Sequence, residues 1–300
     1  MKNKNQVLKK LKNDIIYLFI VLLIGTVRRL PRAWSLLLAR MLAFVFYRLL
    51  KNERDKIEAN LVLIFKNRMS ARERADLGKK IFRNIAQNLV DAVLQKRLLA
   101  QDADRIMAVH GLQIARTALE KNKGIIFLTA HTGCFEMLSP RFSKMGFPIS
   151  VLGTKIYDPR INDLIVKNRQ AFDVEYIERG DDLRALLKSL REGASFGVLC
   201  DLDTRVESRF IDFFGVPAKT PAGPFKLGVK FGIPLIPIFT RRTEQGFQEV
   251  TVYPEIAAQG DTGEERMLSA MRQYNQTLEK FIQQDPAQWI WMHERWKSKP

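Results

Sequence analysis

From residue 124 onward, the chain alternates short apolar runs with longer amphipathic segments. The apolar runs predict strands, whereas segments whose apolar positions recur every three or four residues predict helices. Predicted strands are 124–130, 148–153, 174–178, 195–200, 210–214, 234–240 and 248–253. Predicted helices are 134–145, 159–172, 181–192, 223–231 and 263–284. Such alternation is typical of an α/β fold in which helices flank a central sheet.

A long helix is predicted upstream of the sheet. Ser70-Ala-Arg-Glu73 is a capping box, in which the serine and the glutamate can each satisfy a free backbone N–H group. The amphipathic pattern that follows predicts a helix over about 71–99. Apolar residues recur along it at helical spacing, and we expect them in the core: Ile81, Ile85, Leu89 and Val93.

Two apolar stretches precede this helix. Residues 15–27 would rise about 20 Å as a helix, which is less than the roughly 30 Å of a bilayer core. Flanking lysines and arginines could extend to the headgroups and make up part of the difference. In the second stretch, 33–50, Arg40 and Arg48 share one helical face, as in a helix that lies in the membrane interface.

Charge strengthens the membrane interpretation. The 300-residue chain has a net charge of +17, and residues 1–50 hold ten lysines and arginines against one acid, Asp14. This basic surface favours anionic lipid or an acidic protein partner. Nucleic acid is less favoured, because the basic residues interleave with long aliphatic side chains. We predict a membrane anchor over 1–50, a separate domain over 51–300, and attachment from the cytoplasmic side.

The candidate chemistry begins where the first predicted strand ends. His131 follows that strand, and Glu136 lies five residues later. If His131 lies in the turn and Glu136 in the first helical turns, the carboxylate can orient the imidazole as a general base.

Cys134 offers an alternative mechanism, in which a Cys–His pair acts as the nucleophile. Neither Cys134 nor Cys200 has neighbours that indicate a metal site or a disulfide, so a reducing compartment is expected.

Polar residues also follow later strands. Asp201 and Asp203 come after the 195–200 strand, and they could be metal ligands, substrate contacts or helix caps. Because no histidine accompanies them, they are weak evidence for a metal site. Thr220 is a candidate N-cap for the helix near Gly223, whose start could bind phosphate. The three tryptophans near the end form either an interfacial belt or a packed terminus.

These blocks, in this order, resemble the bacterial lipid A late acyltransferases, the lauroyl and myristoyl transferase family within the wider glycerolipid acyltransferase group. The resemblance covers nearly the whole chain. Its carriers are the histidine–x4–acid motif His131…Glu136, Asn168-Arg169, Arg179-Gly-Asp-Asp-Leu183, Asp201-Leu-Asp203, Asp212-Phe-Phe-Gly-Val-Pro217, Thr220-Pro-Ala-Gly223 and the 291–300 ending.

The resemblance implies a central mixed sheet flanked by helices and an acyltransferase catalytic domain over 51–300. His131 would be the general base and Glu136 its orienting partner. Lys155 stands about where members often carry an arginine, a change that keeps the charge and loses bidentate phosphate binding. The implied acceptor-binding residues are Lys155, Asn168, Arg169, Arg179, Asp201, Asp203, Thr220 and Gly223. Neither a metal nor a cofactor is expected.

The resemblance further implies a fatty acyl donor, acyl carrier protein or acyl-CoA, and a lipid A precursor as acceptor at the cytoplasmic face of the inner membrane. Three alternatives stay open. The same chemistry could act on another glycolipid, such as a phosphatidylinositol mannoside, or on a lysophospholipid. The chain could also be a non-catalytic membrane lipid-binding protein.

Overall fold

The structure, a computed structural model, describes residues 2–121, 124–153, 158–170, 172–178, 186, 188–190 and 192–300. Lys155, Arg179 and most of the helix predicted over 181–192 lie outside these ranges. The described α-helices are α1 Lys2–Arg29, α2 Arg32–Leu49, α3 Lys51–Phe65, α4 Ala71–Ile106, α5 Leu112–Leu119, α6 Leu138–Lys144, α7 Pro159–Arg169, α8 Gly223–Phe231 and α9 Gly263–Gln284. Short 3₁₀ turns lie at Lys66–Arg68, Phe135–Met137 and Pro286–Gln288.

A seven-stranded sheet forms the centre of the molecule, in the order β1-β9-β8-β2-β5-β3-β4. β8 and β9 pair antiparallel, and the other neighbours in this sheet pair parallel. The predicted mixed sheet flanked by helices is therefore confirmed. Its strands are β1 Met107–His110, β2 Ile126–Thr129, β3 Ile149–Gly153, β4 Val174–Glu178, β5 Ser195–Leu199, β8 Leu235–Arg242 and β9 Gln248–Val252.

A separate hairpin joins β6 Ser208–Phe213 to β7 Val216–Pro221. The pattern predicted one strand over 210–214, and β7 was missed. The two-residue turn, Phe214-Gly215, has positive φ at both positions, which suits the twist of an antiparallel pair. Phenylalanine is an unusual residue there. The Phe214 N–H donates a hydrogen bond to Glu279 Oε1 on α9 at 2.8 Å. This tertiary contact stabilises a turn that the local sequence does not favour.

Helix α4 begins at the predicted capping box, with Ser70 and Glu73 each accepting from the other residue's backbone N–H. It continues to Ile106, beyond the predicted end. Ile81 is fully buried, but Leu89 is 62% exposed, so its prediction as a core residue was wrong. The core stripe of this long helix runs instead through neighbours such as Val90 and Leu94.

Helix α2 packs on α4 through small residues. On α2, Ser35, Ala39 and Ala43 recur every fourth position and are buried. Arg32, at the start of α2, makes a bidentate ion pair with the buried Asp91 of α4, with nitrogen–oxygen distances of 2.9 and 3.0 Å. This attachment leaves the opposite face of α2 uncovered.

None of the described helices is by itself long and apolar enough to span a bilayer. Helix α2 and residues 51–68, which meet at an 85° bend, satisfy that length and hydropathy test only when taken together.

The C-terminal segment, residues 286–300, packs into the molecule. Trp289, Trp291 and Trp296 are 1%, 0% and 5% exposed. The rings of Trp289 and Trp291 meet edge to face with centroids 4.9 Å apart, and Trp296 stacks on Phe213. Of the two alternatives left open by the sequence, these tryptophans therefore form a packed terminus.

The buried position of Trp291 generates a stability prediction. Trp291→Ala should lower the free energy of unfolding by about 3–5 kcal/mol, because a large buried ring leaves a cavity. Trp34→Ala is the matched control, since Trp34 is 63% exposed, and should change it by no more than about 0.5 kcal/mol. Chemical denaturation checks both, and equal small effects would contradict the packed terminus.

Candidate active site

Two parallel strands deliver the central pair of side chains. β2 and β5 are direct neighbours in register, with Thr129 opposite Leu199. His131 and Asp201 each lie two residues beyond this last pair. The two residues therefore leave the sheet side by side at the carboxyl edge, where α/β proteins commonly hold their ligands.

His131 and Asp201 are hydrogen-bonded. His131 Nδ1 lies 2.9 Å from Asp201 Oδ1, and the His131 backbone N–H donates to Asp201 Oδ2 at 2.9 Å. The Asp201 side chain is fully buried and that of His131 is 19% exposed. The contact expected between Glu136 and His131 is thus made by Asp201 instead.

The environment keeps Asp201 ionised. Burial alone raises the pKa of this carboxyl, but the adjacent His131 and the hydrogen bonds to both oxygens outweigh burial, so its pKa lies below the usual value. An ionised carboxylate only accepts hydrogen bonds. The proton of a neutral His131 ring is therefore on Nδ1, and Nε2 carries the lone pair available to a substrate.

Glu136 pairs with Arg169, the last residue of α7. The ion pair is bidentate, with nitrogen–oxygen distances of 2.9 and 2.6 Å. Burial by itself lowers the pKa of Arg169, but pairing with Glu136 outweighs it and raises that pKa overall. The motif acid therefore holds a cation rather than the imidazole. The two side chains are 24% and 20% exposed, so a ligand can reach them.

A cavity of ≈ 470 Å³ opens beside this pair of charged groups. His131 and Arg169 lie on its wall, together with Gly223. Most of the remaining lining is apolar: Ile126, Ile165, Leu190, Phe196, Val198 and Leu227. Its volume falls within the roughly 300–1,000 Å³ typical of pockets that enclose a small ligand.

A smaller hollow of ≈ 70 Å³ lies against the opposite face of the sheet. Strand alternation separates the two spaces, because Phe196 and Val198 line the large cavity whereas Gly197 lines the small one. Arg169 lines both. The Glu136–Arg169 pair therefore lies at the sheet edge where the two apolar spaces approach each other.

The turn after His131 requires glycine. Gly133 has φ +47°, and a Cβ atom there would lie 2.6 Å from the carbonyl oxygen of Thr240. The Gly133 N–H donates to the Gln288 carbonyl at 3.1 Å. The loop that carries His131 is thus held between β8 and the C-terminal segment.

The C-terminal segment contacts several candidate site residues, and the sequence did not reveal these contacts. Trp289 Nε1 donates to Asp201 Oδ2 at 2.9 Å. His293 Nε2 accepts from the Asp203 N–H at 3.2 Å, and Arg295 Nη2 donates to Thr220 Oγ1 at 2.7 Å. The sequence signal was the tryptophan-rich, basic ending, but the residues that it contacts lie about 75–95 residues earlier in the chain.

Several residues expected to bind the acceptor have other contacts. Asn168 donates to the Ala92 carbonyl and so fastens α7 to α4. The Asp203 carboxylate accepts from the Ser298 N–H. Thr220 is buried in β7, and its prediction as an N-cap was wrong, because the helix begins at Gly223 with Ala222 as N-cap. Gly223 borders the large cavity, as stated above.

Cys134 is unsuited to be a nucleophile. Its thiol is buried and donates to the Asn88 carbonyl on α4 at 3.2 Å. Burial raises the pKa of this thiol well above its usual range, which suppresses the reactive thiolate.

Comparison with known proteins connects this geometry to a family. Residues 1–298 match the family model for bacterial lipid A biosynthesis acyltransferases. A lipid A biosynthesis lauroyltransferase of Escherichia coli K12 is 26% identical, over 84% of this chain and 82% of its own length. A lipid A biosynthesis acyltransferase of Haemophilus influenzae is 25% identical, over 81% and 75%.

A phosphatidylinositol mannoside acyltransferase of Mycobacterium tuberculosis (strain CDC 1551 / Oshkosh) is 24% identical, over 68% of this chain and 63% of its own length. Relatives with different acceptors in their names thus share the transferase chemistry. Since the family model covers nearly every residue, the chain belongs to the bacterial lipid A biosynthesis acyltransferases and is an acyltransferase.

Proposed function

We propose that this protein transfers a fatty acyl chain from a thioester, on acyl carrier protein or coenzyme A, to a hydroxyl of a lipid A precursor. His131 acts as general base at the cytoplasmic face of the inner membrane. The observation that carries this proposal is the His131–Asp201 pair at the wall of a large apolar cavity. Family membership supports the acceptor class.

The reaction follows from the position of one lone pair. Nε2 of His131 accepts the proton of the acceptor hydroxyl as its oxygen attacks the thioester carbonyl. Asp201 stabilises the imidazolium that forms. When the tetrahedral intermediate collapses, the carbon–sulfur bond breaks and the imidazolium returns the proton to the thiolate leaving group. A thioester is reactive enough that this route needs no covalent acyl-enzyme.

The ≈ 470 Å³ cavity suits the acyl chain of the donor. Its walls come from the sheet through Phe196 and Val198, from α7 through Ile165 and from α8 through Leu227. An alkyl chain in this space exchanges water for apolar contact, at about 0.8 kcal/mol for each buried methylene group. The carbonyl end of the chain then lies toward His131.

Arg169 suits the anionic acceptor. Its guanidinium lies on the wall of the same cavity as His131, and Glu136 fixes its orientation through two hydrogen bonds. Charge-assisted contacts of this kind recognise phosphate. We therefore assign Glu136 an indirect role, in which it positions Arg169 for the acceptor.

The exposed face of α2 suits a bilayer. Opposite the buried small residues, large apolar side chains are open to solvent: Trp34, Leu37, Met41, Phe44 and Val45. Arg48 lies beside Phe44, with its guanidinium 3.5 Å from the ring centroid, and can contact anionic headgroups. This arrangement matches a helix lying in the interface plane, and it would bring the active site to a lipid acceptor.

The proposed base gives the first activity prediction. His131→Ala and Asp201→Asn should each lower acyl transfer by about 10²–10⁴-fold, because the first removes the base and the second its ionised partner. Purified protein is incubated with acyl carrier protein thioesters and a tetra-acylated lipid A precursor, and products are measured by mass spectrometry.

Cys134→Ser is the control in that experiment and should stay active. Transfer near the wild-type rate by His131→Ala would contradict the mechanism. Acylation of a phosphatidylinositol mannoside or a lysophospholipid in place of the lipid A precursor would keep the mechanism and change the acceptor. No product with any acceptor would favour a non-catalytic lipid-binding protein.

The Glu136–Arg169 pair gives a different expectation. Arg169→Ala should lower acceptor use by roughly 10- to 150-fold, the loss of one contact worth about 1.5–3 kcal/mol. Thioester hydrolysis by water should stay within about threefold, because His131 and Asp201 remain. Glu136→Gln should follow the same pattern more weakly, and the two rates are compared on one donor.

Lys79→Ala, in an exposed ion pair on α4, controls for loss of one positive charge. If hydrolysis falls in step with transfer in Arg169→Ala, then Arg169 serves the donor or the base, and the acceptor assignment is wrong.

The α2 surface is tested by vesicle binding. Replacing Leu37, Met41 and Phe44 together by glutamine should lower partitioning onto anionic vesicles by at least about 100-fold, since three apolar side chains no longer enter the interface. Leu89→Gln is the control, because Leu89 is at least as exposed as these three residues but lies on α4. Unchanged sedimentation of the triple variant with vesicles would place the attachment elsewhere.

A further inference from the structure

Gly197 lies in the middle of β5, in the central sheet, yet neither its backbone nor its packing requires glycine. Its φ is outside the left-handed region, and a Cβ atom there would meet only Ser139 Oγ of α6, at 3.8 Å, which is an ordinary contact. A Cβ atom at Gly124 or Gly133, by contrast, would lie within 2.6 Å of a carbonyl oxygen. Glycine weakens a strand, and inside one it often marks a place where a ligand approaches the backbone.

The space that a side chain at Gly197 would enter is the ≈ 70 Å³ hollow between the sheet and α6. Gly197 stays partly exposed because of this hollow, although β5 has neighbours on both sides. A water molecule needs about 10–15 Å³ of such space, so the hollow has room for several small groups. Its walls are mostly apolar: Phe127, Leu138, Phe142, Ile149, Val151 and Ile238.

The charged part of this lining is the Glu136–Arg169 ion pair. Of the five N–H donors of the guanidinium, two bind the Glu136 carboxylate, so donors remain for a second anion. Arg169 also lines the large cavity that contains His131. An anionic lipid bound at Arg169 therefore has two apolar spaces within reach, one on each side of the sheet.

We propose that the hollow is a second lipid-chain subsite, which takes a short segment of an acyl chain of the acceptor while the donor chain occupies the large cavity. The inference rests on the proposed function, in which two lipid substrates meet at one base. The sheet keeps their chains apart, since Phe196 and Val198 face the large cavity and Gly197 faces the hollow. Arg169 holds the acceptor's anionic group between the two chains, and the missing side chain at Gly197 makes room for the acceptor.

Filling the hollow tests this subsite. Gly197→Val should raise the KM for a tetra-acylated lipid A precursor roughly 10-fold, the change expected when about two methylene groups lose their apolar contact. The KM for the acyl carrier protein thioester, and the preference among donor chain lengths, should change by less than about twofold. Gly197→Ala adds one methyl group and should raise the acceptor KM by a smaller factor. Its thermal stability should not fall, because alanine suits a strand interior better than glycine.

Ser195→Ala is the matched control, because Ser195 is fully buried on the same face of β5 but does not line the hollow. It should leave the KM of both substrates near the wild-type values. A changed donor preference in Gly197→Val with an unchanged acceptor KM would assign the hollow to the donor and overturn the inference. Unchanged KM values for both substrates, or equal rises in Ser195→Ala and Gly197→Val, would also overturn it.

A binding measurement separates this test from the proposed function. The tetra-acylated precursor is titrated into His131→Ala protein with and without Gly197→Val, so that no turnover is needed. A Kd that rises roughly 10-fold with the valine supports the subsite, whereas an unchanged Kd overturns it even where His131 proves to be the base. Active His131→Ala protein would remove the proposed mechanism, and the comparison of Kd values would still decide whether the acceptor enters the hollow.

Discussion

The register between β2 and β5 is the constraint on which the active site depends. Pairing of Thr129 with Leu199 brings His131 and Asp201 to the same level above the sheet edge. A shift of one residue would turn every side chain of a strand to the other face. It would separate the imidazole from its carboxylate and put Phe196 and Val198, which line the large cavity, on the wrong side. The hydrophobic pattern that sets this register therefore also decides which polar side chains meet at the sheet edge.

Burial of an ionised carboxylate explains why so much of the chain converges on Asp201. A buried charge is tolerated only where hydrogen bonds satisfy it. The His131 N–H, its imidazole and the indole of Trp289 supply them. Each donor sits on an element that is itself held in place, the first two by the turn at Gly133 and the third by packed tryptophans. The hydrogen bonds of the site are thus organised around one acid.

Much of this architecture could be predicted from the sequence, because apolar runs after residue 124 reveal strands and polar residues follow them. Asp201 and His131 were both recognised as strand-end residues. Their contact was not, since β3 and β4 lie between their strands in the chain and only the folded strand order makes β2 and β5 neighbours. Glu136 was predicted as the partner of His131 because it is close to it in the sequence. In the fold Glu136 pairs with Arg169, and Asp201 contacts His131. Thr220 was misplaced because a hairpin strand with proline at both ends resembles a loop before a helix.

The late position of the C-terminal segment has a consequence for the order of folding. Residues 286–296 are synthesised after every strand of the sheet, and they contribute Gln288 and Trp289 to the surroundings of His131. Synthesis proceeds from the N-terminus at about 5–20 residues per second. The three N-terminal helices therefore emerge long before His131 has its full set of neighbours. The surroundings of His131 are therefore complete only after the C-terminal segment has been synthesised and has packed against the loop after β5.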